Sequence, residues 1–239
     1  MTTAVLRLCL MALIWAWAPA SHSETQQVRV GVLAFRDLDA TARQWAGLAS
    51  YLDSQIADRH FDFIPLHLDE LTKAAAGQDL DFILTQPEHY VLLRSHHHLA
   101  AVATLVQASP VRPASKLGGV IFTRANRDDI VKLPDLRNKV IAAAHINSLG
   151  SFRTQQWLLK QADIDLPDDA KEVLFTGQPQ DKVVDAVISG QADVGFVRTG
   201  LLESMVAEGK LKEGTLKVVN ARQVPGFPFQ LSTELYPEW

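Results

Sequence analysis

Cysteine is almost missing from this 239-residue chain: the only one, Cys9, lies near its start. Residues 24–239 therefore offer no disulfide, no thiolate metal site and no cysteine nucleophile, and their fold must rest on its core alone. Long apolar runs are equally scarce. Leu8 to Trp17 is the one clear case, and it falls short of the roughly 20 apolar residues that a spanning helix needs. With Arg7 before it and small residues at Ala18-Pro19-Ala20 or Ser21-His22-Ser23 after it, the stretch reads as a signal peptide over 1–23, cleaved after Ala20 or Ser23. Export to the periplasm is the expectation, with no membrane insertion after cleavage. Cys9 lies too early to be a lipidated residue. Basic charge is not in excess either: 23 Lys and Arg stand against 27 Asp and Glu, and no basic patch is visible. That excludes a nucleic-acid footprint.

Catalytic signatures are also lacking. No G-x-S-x-G elbow occurs, and Ser148 and Ser151 have only the sequence-near His145 as a candidate base. His96-His97-His98 lacks the i, i+4 spacing of a helical metal site and reads as a solvated helix end. No enzyme activity, metal or cofactor is expected.

What the chain does have is alternation. Val28 to Phe35 is an apolar strand, followed by a helix with Trp45, Leu48, Ala49, Leu52 and Ile56 on one face. Phe61 to His67 reads as a strand, Leu68 to Ala76 as a helix, Asp81 to Leu84 as a strand, Pro87 as a helix start and Leu99 to Val106 as a strand. After a Pro- and Ser-rich joint at 107–115, a second block predicts strands at 117–123, 139–144, 173–176, 193–197 and 215–220. Helices are predicted near 128–133, from 149, at 179–189 and at 200–208. This pattern means α/β architecture, with mostly parallel sheets covered by helices.

In such sheets a ligand sits beyond the carboxyl ends of the strands. Arg36 follows the first strand, Thr85 and Gln86 follow the third, and Tyr90 lies one helical turn further on. In the second block Arg198 and Thr199 end a strand, and the run HINSLGS at 145–151 joins a strand to a helix. His145, Asn147, Ser148, Gly150 and Ser151 lie in that run. A helix start of this kind can hold an anion with backbone N–H groups, hydroxyls and the positive end of the helix dipole. Asn and Ser there are also ordinary helix caps. Arg36 and Arg198 could meet an oxyanion through two parallel N–H bonds, although Asp37 and Asp39 lie close to Arg36.

Four segments resemble a known family. GVLAF at 31–35, DLDFILTQPEHY at 79–90, LPDLRNKVIAAAHINSLGSF at 133–152 and GQADVGFVRTG at 190–200 resemble the phosphate/phosphite/phosphonate type of periplasmic binding protein. The resemblance implies Ser148 and Ser151 on one side of the anion and Tyr90 on the other. Here Asn-Ser-Leu-Gly-Ser stands where transporter members often carry Ser-Thr-Ser-Gly. VRTGLLE at 197–203, FPF at 227–229 and STELYPEW at 232–239 are similar to the extracytoplasmic input domains of tetrathionate-sensor-type histidine kinases. That likeness implies a sulfur oxyanion or a related small anion, and either a stand-alone binder or a relative without the membrane span and kinase that follow in that family.

The expectation is thus a type II periplasmic binding protein of two lobes. Residues 24–108 plus 223–239 would form lobe 1 and 112–221 lobe 2, each a mostly parallel sheet flanked by helices, joined by a two-strand hinge. A small anionic ligand is the expected partner, with an ABC permease or a sensor kinase as the protein that reads closure.

Overall fold

In the first lobe, β1 (Gln26–Leu33) pairs in parallel with β2 (Arg59–Leu66), and α1 (Leu38–Gln55) crosses between them. The Asp37 carboxylate starts that helix by accepting the Ala40 N–H at 2.8 Å. Alternation in β1 buries Val28, Val30 and Val32 against Trp45 of α1 and against Phe61, Phe63 and Leu84, with Trp45 stacked 6.1 Å from Phe63. Then α2 (Leu68–Ala76) leads to β3 (Phe82–Leu84), which pairs in parallel with β1, and Pro87 opens α3 (Pro87–His96). The sheet order is β2-β1-β3. This computed structural model describes residues 25–106, 116–223, 230–232 and 236–237. The expected signal peptide and the joint at 107–115 lie outside the described residues.

The chain re-enters through β4 (Lys116–Leu117) and β5 (Gly119–Arg124). A 3₁₀ turn at Leu133–Leu136, β6 (Val140–Ala143), a π-helical turn at Leu149–Arg153 and α4 (Thr154–Gln161) follow. The lobe is completed by β7 (Glu172–Phe175), α5 (Asp181–Ile188), β8 (Val194–Arg198), α6 (Leu201–Ala207) and β9 (Leu216–Val218). Its sheet runs β7-β6-β8-β5-β9, and β5 is antiparallel to both of its neighbours. Strand alternation divides its core into two layers. Val120, Phe122, Ala142 and Val197 face α5 and α6, while Ile121, Ile141, Val194 and Phe196 face Phe152 and Leu159. Gly195 stands opposite Phe122 in register, and a Cβ there would lie 2.2 Å from the Phe122 ring. Glycine makes room for the ring.

Three expectations change. Residues 99–106 have no regular structure and run beside lobe 1 without joining its ladder; apolarity alone does not provide a pairing partner. The helix expected near 128–133 is replaced by the later 3₁₀ turn, because the Asp135 carboxylate accepts the Val131 and Lys132 N–H groups and turns the chain there. Near the end, β10 (Arg222–Gln223) pairs with β11 (Gln230–Leu231), and β12 (Tyr236–Pro237) pairs with β4. The expectation places 223–239 with lobe 1, yet Ser232 is tied to lobe 2. Its hydroxyl donates to Val219 O at 2.7 Å and accepts the Ile121 N–H at 3.0 Å.

Candidate ligand-binding crevice

The carboxyl ends of both sheets open on one crevice. Lobe 1 contributes Phe35 after β1, Thr85 and Gln86 after β3, and Thr41, Gln44 and Trp45 from α1. Lobe 2 contributes Ser148 and Gly150 after β6, Gln178 and Gln180 after β7, and Arg198 at the end of β8. The space is about 70 Å³, which suits a small ion rather than a sugar or peptide. Leu33, Leu68, Leu84, Leu105 and Leu117 complete the wall, and such apolar surroundings strengthen any charge interaction inside. A larger space of about 840 Å³ lies within lobe 1; its wall is mostly apolar, with Leu48, Leu52, Phe61, Phe63 and Phe82, and carries Thr85, Tyr90, His98 and Thr104 as polar groups.

The turn after β6 begins at Ser148, whose hydroxyl accepts the Ser151 N–H at 3.2 Å and whose carbonyl accepts the Phe152 and Arg153 N–H groups. Gly150 is required by close approach: a Cβ there would lie 2.6 Å from Cβ of Arg198. The Arg198 guanidinium lies 4.3 Å above the Phe35 ring, a cation–π contact that orients it across the lobe boundary. The Arg198 backbone N–H donates to the Gln180 side chain at 3.1 Å. Beside it, the Gln178 amide oxygen is buried and has no hydrogen-bond partner among the described residues.

Several expected site residues have other tasks. Ser151 is fully buried; its hydroxyl donates to Phe196 O at 2.6 Å and accepts the Ala144 N–H at 2.8 Å, pinning the turn to β6 and β8. Arg36 spans the lobes: it grips Asp181 through two N–H bonds of 2.9 and 2.7 Å and also pairs with Glu208. Bonded first by Arg36 and then by Lys210, the Glu208 carboxyl is held down at about 2. Thr199 is buried, and its hydroxyl accepts the Gly118 N–H at 3.1 Å. Tyr90 lines the apolar space of lobe 1 rather than the crevice.

The remaining expected residues bind the lobes together. Gln86 donates to Asn147 O at 2.8 Å and accepts the Leu149 N–H at 3.1 Å, so its amide sits on the helix start that sequence reasoning assigns to a ligand. His145 Nδ1 accepts the Asn147 N–H at 3.0 Å, and its Nε2 faces Asp69 of lobe 1 at 3.2 Å. The Gln180 N–H donates to Phe35 O at 2.9 Å. The lobes are therefore in contact on both sides of the crevice.

Sequence reasoning missed Gln44, Gln178 and Gln180. The last two follow β7, a strand the sequence reveals, and extending the strand-end survey to it would have found them. The strand-end survey also reaches His89, one helical turn after Gln86 and beside Tyr90. It is fully buried between Thr72 and Thr85, at 3.0 Å from Nε2 and 2.7 Å from Nδ1. Burial first, then the neighbouring His145, pulls it down to about 4, so its ring is neutral at ordinary pH.

Comparison with known proteins agrees with this architecture. Residues 30–239 match the family described as the periplasmic substrate-binding protein of the phosphonate ABC transporter. A binding component of an ABC phosphonate transporter from Pseudomonas aeruginosa superposes with a TM-score of 0.68 at 16% identity, covering 86% of this chain and 67% of that one. PhnD1 from Prochlorococcus marinus, solved with methylphosphonate, gives a TM-score of 0.68 at 17% identity, covering 90% and 74%. The tetrathionate sensor histidine kinase TtrS of Salmonella typhimurium is 29% identical over 211 residues, 88% of this chain but only 35% of the kinase. Among the described residues no helix is long and apolar enough to cross a membrane. With two α/β lobes meeting at a small polar crevice and a family match over nearly its whole length, the chain belongs to the periplasmic phosphonate substrate-binding proteins.

Proposed function

We propose that this protein closes its lobes on a small oxyanion held between Thr85 of lobe 1 and Ser148, Gly150 and Arg198 of lobe 2, with Gln86 fastening the lobes beside it. The observation that carries this reading is the crevice itself: a fixed guanidinium and a helix-start turn face polar side chains of the opposite lobe. Its apolar wall favours a compact anion that replaces water. Residues 24–108 act as one body and 112–221 as the other, with the connecting segments as hinge. Linkage requires that the ligand bind the closed form more tightly than the open one. Closure then serves uptake through an ABC permease, after export and cleavage behind Ala20 or Ser23.

A second reading has its own support. Similarity to the tetrathionate sensor kinase extends over most of this chain, which favours a role as a ligand-sensing module that reports closure to a kinase. Both readings share one test. The purified protein is heated with phosphate, methylphosphonate, sulfate, methanesulfonate, thiosulfate or tetrathionate, and its melting temperature is recorded. At 100 times its Kd a true ligand adds about 2.7 kcal/mol of stability, which raises the melting temperature. No shift with any of these anions would overturn the proposal.

A further inference from the structure

The proton positions around His89 follow from three distances. Thr72 Oγ1 lies 2.8 Å from Leu68 O. Two oxygens that close repel unless a proton lies between them, so the Thr72 hydroxyl donates to that carbonyl. Thr72 then has only lone pairs to offer His89 Nε2 at 3.0 Å, and Nε2 must carry the ring proton. A neutral ring with Nε2–H leaves Nδ1 as an acceptor. The Thr85 hydroxyl, 2.7 Å away, must therefore donate to Nδ1. Thr85 lines the crevice, and with its proton committed to His89 its hydroxyl offers a ligand there only lone pairs. A second acceptor, the buried Gln178 amide oxygen, has no partner among the described residues, and Gln178 lines the same crevice.

On the reading of the crevice as an oxyanion site, we propose that Thr85 determines specificity by selecting an anion that carries its own hydrogen-bond donor, a P–O–H or an ammonium group. A buried acceptor left unpaired costs binding, whereas one that receives the ligand's proton adds to it. Anions bearing only acceptors meet lone pairs on this side. His89 and Thr72 are positioning residues: they touch no ligand and act by fixing the direction of the Thr85 hydroxyl.

Methylphosphonate and methanesulfonate provide the test, since at about pH 5.5, below the second ionisation of a phosphonate, each is mainly a monoanion and only the first keeps a hydroxyl. Calorimetric titration of the unaltered protein should show methylphosphonate bound about tenfold more tightly or better. Thr85→Val should bring the two affinities within about twofold, while Thr85→Ser keeps the preference. Thr72→Val should narrow the ratio without touching the ligand, and nitrogen-15 NMR of His89 in the unaltered protein should show the proton on Nε2. A preference that survives Thr85→Val, a proton on Nδ1, or tighter binding of methanesulfonate or tetrathionate would overturn this inference and leave the oxyanion site standing. Failure of every tested anion to bind would bring down both.

Discussion

In lobe 2, β8 is the central strand of five. Val194 and Phe196 are buried on one face and Val197 on the other. In lobe 1, β1 is the central strand of three, and its buried cluster among the described residues is Val28, Val30 and Val32, backed by half-buried aromatics. The same alternation of strand and helix thus yields one lobe packed through both faces of its sheet and another with a lighter core. Their polar groups differ accordingly. The lobe packed on both faces supplies the Gly150 turn, which lies close against Arg198. The lighter lobe supplies Gln86, Arg36 and Asp69, which reach across the boundary. Closing requires one body to move, and the body with fewer buried contacts is the cheaper one to adjust.

Three measurements can break or sharpen that contrast. The largest effect is expected at Phe196, whose ring is fully buried: Phe196→Ala should cost about 3–5 kcal/mol in urea unfolding. Phe63→Ala, at a half-buried ring of lobe 1, should cost about 1–2 kcal/mol. Equal losses would erase the distinction between the lobes. Next, Gln86→Ala removes two cross-lobe hydrogen bonds, and oxyanion affinity should fall about tenfold with a larger radius in X-ray scattering. An unchanged radius and affinity would show that Gln86 does not hold the lobes together.

The smallest effect concerns acid. His89 titrates at about 4 in the fold against 6.5 when exposed, so between those values the unfolded chain binds the extra proton. Stability should therefore fall as pH drops from 6.5 towards 4 and stop responding to this group below that. His89→Asn should flatten that part of the melting-temperature profile. An identical slope in the variant would remove His89 as a source of acid sensitivity in lobe 1.

Much of this architecture is legible in the chain because local rules govern it. Apolar runs identified β1, β5 and β6, alternation identified β2, and Pro87 marked a helix start. Strand-end logic also brought Thr85, Gln86, Ser148, Gly150 and Arg198 to one place. It failed where an expected side chain had a nearer partner. Ser151 faces two backbone groups across β6 and β8, and Arg36 meets Asp181 and Glu208, which lie 145 and 172 residues away in sequence. The strand expected at 99–106 fails for a related reason: an apolar run declares what it can bury and not what it will pair with.

By itself, then, the order of residues determined the β-α rhythm, the absence of cysteine from residues 24–239 and the set of polar groups that follow the strands. Tertiary structure alone decided which of those groups face the crevice and which are consumed in holding it. The direction of the Thr85 proton is the sharpest case, since it depends on Leu68, Thr72 and His89 converging from two helices. Hydrogen-bond donors are finite, and only the folded arrangement shows where each one goes.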